Sequence, residues 1–167
     1  MSGPVRSFAP DGTNGRDLRD AFGRFATGVT IVTAEGAQGC AAMTANSFSS
    51  ISMSPPLVMW SPARASARHD DFAAATHYAI HVLAADQLDL AMAVAGDRTA
   101  LAAADLARNA QGVPVLDDCL ARFDCRRHAL HAAGDHTIIL GEVLSVTLRD
   151  GAPLAFFGGR VAGIVGG

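Results

Sequence analysis

Val29-Thr30-Ile31-Val32-Thr33-Ala34, a turn carrying Gly36 and Gly39, and then Cys40-Ala41-Ala42-Met43-Thr44 form two apolar runs folded around a pair of glycines. The first run is β-branched almost throughout, which favours a strand, and the glycines supply the freedom a hairpin needs. Outward from this hairpin the same signals recur. Leu57–Trp60, Tyr78–Leu83, Leu120–Leu130, Thr137–Leu148 and Leu154–Phe157 read as further strands. Helices are few. Asn14 is placed to cap one, with Asp17 at its third position; Leu18, Phe22 and Phe25 fall at i, i+4 and i+7 on a face predicted to be buried, and Gly28 marks the end. Ser66 caps a second helix to Ala75, and Asp86 a third to about Ala95, with Asp89 as its N3 acid. The alanine-rich span 96–112 favours helix on propensity alone. So many strands with so few helices between them predict a mainly β chain, a small antiparallel β-barrel, and not the alternation of a Rossmann sheet. No GxGxxG motif is present either.

Composition narrows the chemistry. The chain has 167 residues, room for one domain with a real core. Residues 1–13, with Gly3, Pro4, Pro10 and Gly12, read as a loose arm, which leaves 14–167 as the domain. All thirteen basic residues are arginine. Without lysine there is no lysine Schiff base, hence no ordinary PLP enzyme, and no Walker-type phosphate loop. Anions must be held by arginine, backbone amides or hydroxyls. The net charge of -3, scattered arginines and few aromatics give no support to nucleic-acid binding. No apolar run reaches the roughly 18 residues of a membrane span, and no secretory signal is visible at the N-terminus. Cys40, Cys119 and Cys125 are odd in number and lack metal-ligand spacing, so a reduced cytoplasm is the expected setting.

Between the strand-like runs, Met43-Thr44-Ala45-Asn46-Ser47-Phe48-Ser49-Ser50 is dense in small hydroxyl and amide side chains. Such a run lets backbone approach a ligand closely and offers several neutral donors at once, which suits a phosphorylated cofactor. Competing chemistries fare worse. No serine sits in a GxSxG elbow. His128 and His131 lack the intervals of a zinc site, so no metal is expected. Trp60 ends an apolar strand and reads as packing.

Arg19-Asp20-Ala21-Phe22-Gly23-Arg24-Phe25-Ala26-Thr27-Gly28-Val29-Thr30-Ile31-Val32-Thr33 resembles the opening of the flavin reductase family. Met43–Ser50, Ser54-Pro55-Pro56-Leu57-Val58, Leu83-Ala84-Ala85-Asp86-Gln87 and Gly134-Asp135-His136-Thr137 follow in family order. The resemblance spans about Asp17 to Phe157. It implies an FMN-binding split β-barrel of antiparallel Greek-key type, a homodimer, with the flavin near the subunit interface. The implied activity is NAD(P)H-dependent reduction of FMN or FAD by hydride transfer to flavin N5, the reduced flavin serving a partner monooxygenase. Met43, Thr44, Ala45, Asn46, Ser47, Ser49 and Ser50 are then expected along the isoalloxazine and ribityl chain. Ser61, Arg64, Ala65 and Ser66 are expected at the flavin phosphate, where free amides at a helix N-terminus would assist. His136 is expected where nicotinamide from NADH or NADPH meets the flavin, orienting the ring or stabilising negative charge on reduced flavin, with Asp135 either fixing its tautomer or simply closing a turn after Gly134.

The chain departs from the family pattern at several positions. Ala67 stands where many members carry threonine, and His81 where asparagine is usual. Asp97-Arg98 lacks the following phenylalanine, and Arg160 lacks a following aromatic. Two other functions fit the same residues: a flavoprotein that retains FMN and acts on another small molecule, or a non-catalytic flavin-binding barrel.

Overall fold

The computed structural model describes residues 5–163. In order these form α1 (Gly15–Phe22), β1 (Thr27–Gly28), β2 (Thr30–Gly36), β3 (Gly39–Ala45), β4 (Ser49–Met53), β5 (Pro56–Trp60), α2 (His69–Ala74), β6 (His77–Val82), a single 3-10 turn (Ala85–Gln87), α3 (Leu88–Gly96), β7 (Ala121–Ala133), β8 (His136–Leu148), β9 (Leu154–Phe157) and β10 (Arg160–Gly163). The fold is mainly β. Seven strands make one antiparallel sheet in the order β3-β2-β6-β7-β8-β5-β4, and β1-β9-β10 make a second. The ladder ends on β3 and β4, so the pairing among described residues does not close into a continuous barrel.

The opening hairpin is as read, with Thr30 opposite Ala45 and Gly36 opposite Gly39. Its apolar run is continuous because β2 is buried on both faces. Ile31 packs with Val29, Leu83, Val94 and Leu154 on one side, while Val32 packs with Trp60, Phe72, Tyr78 and Ile80 on the other. A half-solvated strand would have alternated. Each large aliphatic side chain fully withdrawn from water here contributes roughly 1.5–3 kcal/mol. Trp60 is packing: fully buried, it meets Phe72 edge-on at 4.9 Å.

Several expectations are corrected. The helix after Asn14 ends at Phe22, not Gly28, and buries no residue; Phe22 and Phe25 are 70% and 77% exposed. Asn14 makes no side-chain cap because its amide bonds instead to Ala9 and Asp11 in the arm. Of the span 96–112 only Gly96, the last residue of α3, is helical. Asp97 Oδ1 accepts from both the amide and hydroxyl of Thr99, turning the chain out of α3, and Asn109 Oδ1 accepts from Gln111 and Val113 in a second turn. These local bonds win because alanine alone supplies too little apolar surface to hold a helix. Asp86 lies in the 3-10 turn before α3 and is not its cap. Strands β1, β4 and β10 go beyond the sequence reading.

Gly141 marks the tightest packing against the core. A Cβ there would lie 2.1 Å from the hydroxyl oxygen of Tyr78 and 2.9 Å from its Cζ. Tyr78 is 1% exposed and has nowhere to retreat. Gly141→Ala is expected to destabilise the fold by about 1–3 kcal/mol, measured by urea unfolding. Adding Tyr78→Phe should recover part of the loss, since it deletes the atom in closest conflict; no recovery would discount the steric account.

Candidate active site

A cleft of about 570 Å³ opens where the end of β3 meets the segment after β5. Met43, Thr44, Ala45, Asn46 and Ser47 form one wall, Ser61, Ala63, Ser66, Ala67 and Arg68 another; Ala95, Gly96 and Arg98 close one end, and His136 also lines it. Hydrogen bonds fix these walls. Thr44 Oγ1 donates to the carbonyl of Ala91 at 2.7 Å, tying β3 to α3. Ser47 Oγ accepts the amide of Ser61 at 2.9 Å, joining the two walls directly. The lining holds two guanidinium groups, one imidazole and several neutral donors, with no carboxylate side chain. Its character is therefore that of an anion-accepting site.

Of the residues read from the sequence, Met43, Thr44, Ala45, Asn46, Ser47, Ser61, Ser66 and His136 come together on this cleft. Arg64 and Ala65 are exposed and do not line it. Ser49 and Ser50 sit on β4, paired with Met59 and Val58, also outside the lining. Ser66 is not a helix cap. Helix α2 starts three residues later, has only six residues and has no capping side chain; Ser66 Oγ accepts from the Arg68 amide at 3.3 Å in the preceding turn. Positive charge at this end comes instead from Arg68 and Arg98. Arg68 Nη1 donates to the carbonyl of Val94 at 2.8 Å, which holds the guanidinium across the cleft end. Burial chiefly lowers the Arg68 pKa, and the nearby charge of Arg98 lowers it further. Arg68 stands two positions beyond Ser66, and nothing in the sequence around it marks it as part of a site.

A second cavity of about 720 Å³ lies on the other side of Asn46 and His136, the two residues it shares with the first. Arg19, Asp20, Phe22, Gly23 and Arg24 line it from α1 and its end, with Phe156, Gly158 and Gly159 opposite. The amide of Gly158 donates to the carbonyl of Gly23 at 2.8 Å and closes that wall. Gly158 and Gly159 both have positive φ, 59° and 78°, so this turn needs glycine. His136 thus stands between two adjoining cavities. Its Nδ1 is 2.7 Å from Asp135 Oδ1, and the hydrogen bond to the ring holds the exposed Asp135 carboxyl below its usual range. A carboxylate accepts only, so Nδ1 carries the hydrogen and Nε2 remains available to a ligand.

The flavin reductase like domain model matches residues 22–164, nearly the whole of this architecture. The chain belongs to the flavin reductase family. Among its relatives, this flavin reductase domain is similar to FMN reductase (NADH) SmoA of Agrobacterium fabrum, at 55% identity over 91% of this chain and 87% of that protein. It is 40% identical to the reductase component of the flavin-dependent trigonelline monooxygenase of Acinetobacter baylyi, covering 86% of this chain but 47% of that one. In structure it resembles the NADH:FAD oxidoreductase SgcE6 of Streptomyces globisporus C-1027, with a TM-score of 0.89 and 34% identity over 100% of this chain and 96% of that chain.

The buried thiols take no part in either cavity. Cys40 and Cys125 are buried, which pushes their thiols up to about 11 and about 12, and both remain protonated core residues. His128 and His131 are exposed on β7, and a register shift between Arg127 and Ala129 interrupts the strand there.

Proposed function

We propose that this chain is an NADH-dependent flavin reductase that reduces FMN or FAD and releases it for a partner monooxygenase. The observation that carries this reading is the pair of adjoining cavities that share Asn46 and His136. Hydride transfer between two cofactors requires their rings in contact and little else from the protein. The first cleft suits the flavin: small neutral donors at Met43–Ser47 face the ring and ribityl chain, and Arg68 and Arg98 take the phosphate by charge-assisted bonds. The second cavity then receives the nicotinamide nucleotide, with Arg19 and Arg24 available to its phosphates and His136 at the junction. Bound there, the nicotinamide supplies the hydride. The protein orients both ligands and keeps Nε2 of His136 directed at the junction. NADH is the donor that the names of the relatives specify, and it is assigned here on that similarity.

A homodimer accounts for apolar surface that the described residues leave exposed: Phe22, Phe25, Met53 (92% exposed) and Leu148 (73% exposed). A reduced cytoplasm agrees with three free cysteines.

Arg98→Gln is expected to weaken FMN binding by about tenfold and leave riboflavin binding unchanged, because riboflavin has no phosphate. Flavin fluorescence titration distinguishes the two, and an equal loss for both flavins would remove Arg98 from the phosphate site. The activity itself is tested by anaerobic stopped-flow with FMN against NADH and NADPH. Fast bleaching, with reduced flavin exchanging into solution, is the expected result. Demonstrable FMN binding without bleaching by either nucleotide would overturn the reductase reading and leave a flavin site with another use.

A further inference from the structure

Two segments distant in sequence are stitched together at the rim of the cleft. The Arg64 amide donates to the carbonyl of Asp135 at 2.8 Å, the Thr137 amide donates to the carbonyl of Pro62 at 3.1 Å, and Ala63 bridges to His136. One side chain adds to this seam. His69 Nε2 lies 2.8 Å from Thr137 Oγ1, and His69 Nδ1 lies 2.9 Å from Asp70 Oδ1. The carboxylate can only accept, so Nδ1 holds the hydrogen, and in that neutral tautomer Nε2 accepts the Thr137 hydroxyl. The His69 side chain is 14% exposed, whereas that of Asp70 is fully exposed. Asp70 therefore does no more than select a tautomer, and the shielded bond is the one to Thr137. Neither His69 nor Thr137 lines either cavity that His136 touches.

We propose that His69 is a positioning residue for His136. The inference rests on the reductase reading of the two cavities. His136 is the first residue of β8, directly after the Gly134-Asp135 turn, where Gly134 has φ of 60°. The backbone there is tied by the seam and by pairing with Ala133, while the imidazole of His136 is 42% exposed. The His69–Thr137 bond fastens the next residue to the base of α2, the same segment that carries Ser66 and Arg68 into the flavin cleft. The clamp thus sets the distance between the flavin-holding wall and the imidazole at the junction.

The test compares His69→Ala, Thr137→Val and the double variant with the wild-type protein, and adds Thr137→Ser, which keeps the hydroxyl. Steady-state oxidation of NADH with FMN, FMN affinity by fluorescence and thermal midpoint are measured for each. Either single change is expected to lower kcat/KM for NADH by about tenfold, with FMN affinity and thermal midpoint close to wild type. The double variant should be no worse than the poorer single, and Thr137→Ser should retain activity. Single variants within about twofold of wild type, effects that multiply in the double, or FMN affinity falling in step with kcat/KM would each overturn the clamp. Wild-type protein that binds FMN yet oxidises no NADH would instead overturn the reductase reading on which the clamp rests.

Discussion

Replacing His136 with alanine is expected to lower kcat/KM for NADH by about a hundredfold while FMN affinity stays within about twofold of wild type. The asymmetry follows from placement. On the proposed reading the flavin cleft keeps its other contacts without the imidazole: the Met43–Ser47 wall, Ser66 and Arg68 are held by bonds that do not pass through the His136 side chain. The second cavity has fewer polar groups at the junction, where Asn46 and His136 are the residues common to both. If the nicotinamide binds as proposed, loss of the imidazole removes a ring-positioning contact and leaves hydride transfer with a poorer approach geometry. Asp135→Asn should have a much smaller effect, because Asp135 is 95% exposed and acts only by selecting the tautomer. Stopped-flow at saturating FMN with varied NADH separates binding from transfer. Equal losses of FMN affinity and of NADH-dependent rate would remove the role assigned to His136.

Elements whose residues are placed by local chemistry are legible in the sequence. β9 has the predicted bounds, and β2, β3, β5, β6, β7 and β8 match to within a few residues; all but the arginine-rich β7 carry an apolar run between turn formers. β4 is not legible in this way, since Ser49-Ser50-Ile51-Ser52-Met53 is mostly serine and sits at a sheet edge, exposed, with a register shift at Ile51. β1 and β10 are held by pairing with β9, a contact between distant parts of the chain that no local pattern reports. The cleft shows the same division. Met43–Ser47 was legible because a run of small polar residues between strands is unusual. Arg68 and Arg98 were not, because an arginine looks alike on any surface until the fold brings two of them to one end of a cavity. α1 was misread for a related reason. Its apolar face has the right period, yet the described residues leave Phe22 and Phe25 mostly exposed. The second cavity, which uses α1 and the Gly158-Gly159 turn together, lay beyond any reading by spacing.

Acid should cost this protein about 3 kcal/mol of stability through one residue, His81. It is completely buried between β2 and the Leu116 segment. Both ring nitrogens are engaged: Nδ1 donates to the carbonyl of Ile31 at 2.9 Å, and Nε2 accepts the amide of Leu116 at 3.1 Å. That pair of bonds requires the neutral ring. A proton on Nε2 would oppose the Leu116 amide and place a charge in the core. Burial accordingly lowers the His81 pKa from 6.5 to about 4. Above pH 6.5 the ring is neutral in both folded and unfolded chains, and its contribution is complete. As pH falls from about 6.5 towards 4, the unfolded chain takes up a proton that the native state refuses, and stability declines by up to about 1.4 kcal/mol per unit. Below about 4 the native ring is protonated as well and the loss levels off. Asp97 and Asp135, whose pKa values are lowered in the folded state, lose their contributions only at lower pH. Urea unfolding of wild type and His81→Asn between pH 7.5 and 4 isolates the histidine: asparagine does not titrate, so the gap between the two curves should narrow or reverse as pH falls. Parallel curves across that range would show that His81 does not carry the acid sensitivity.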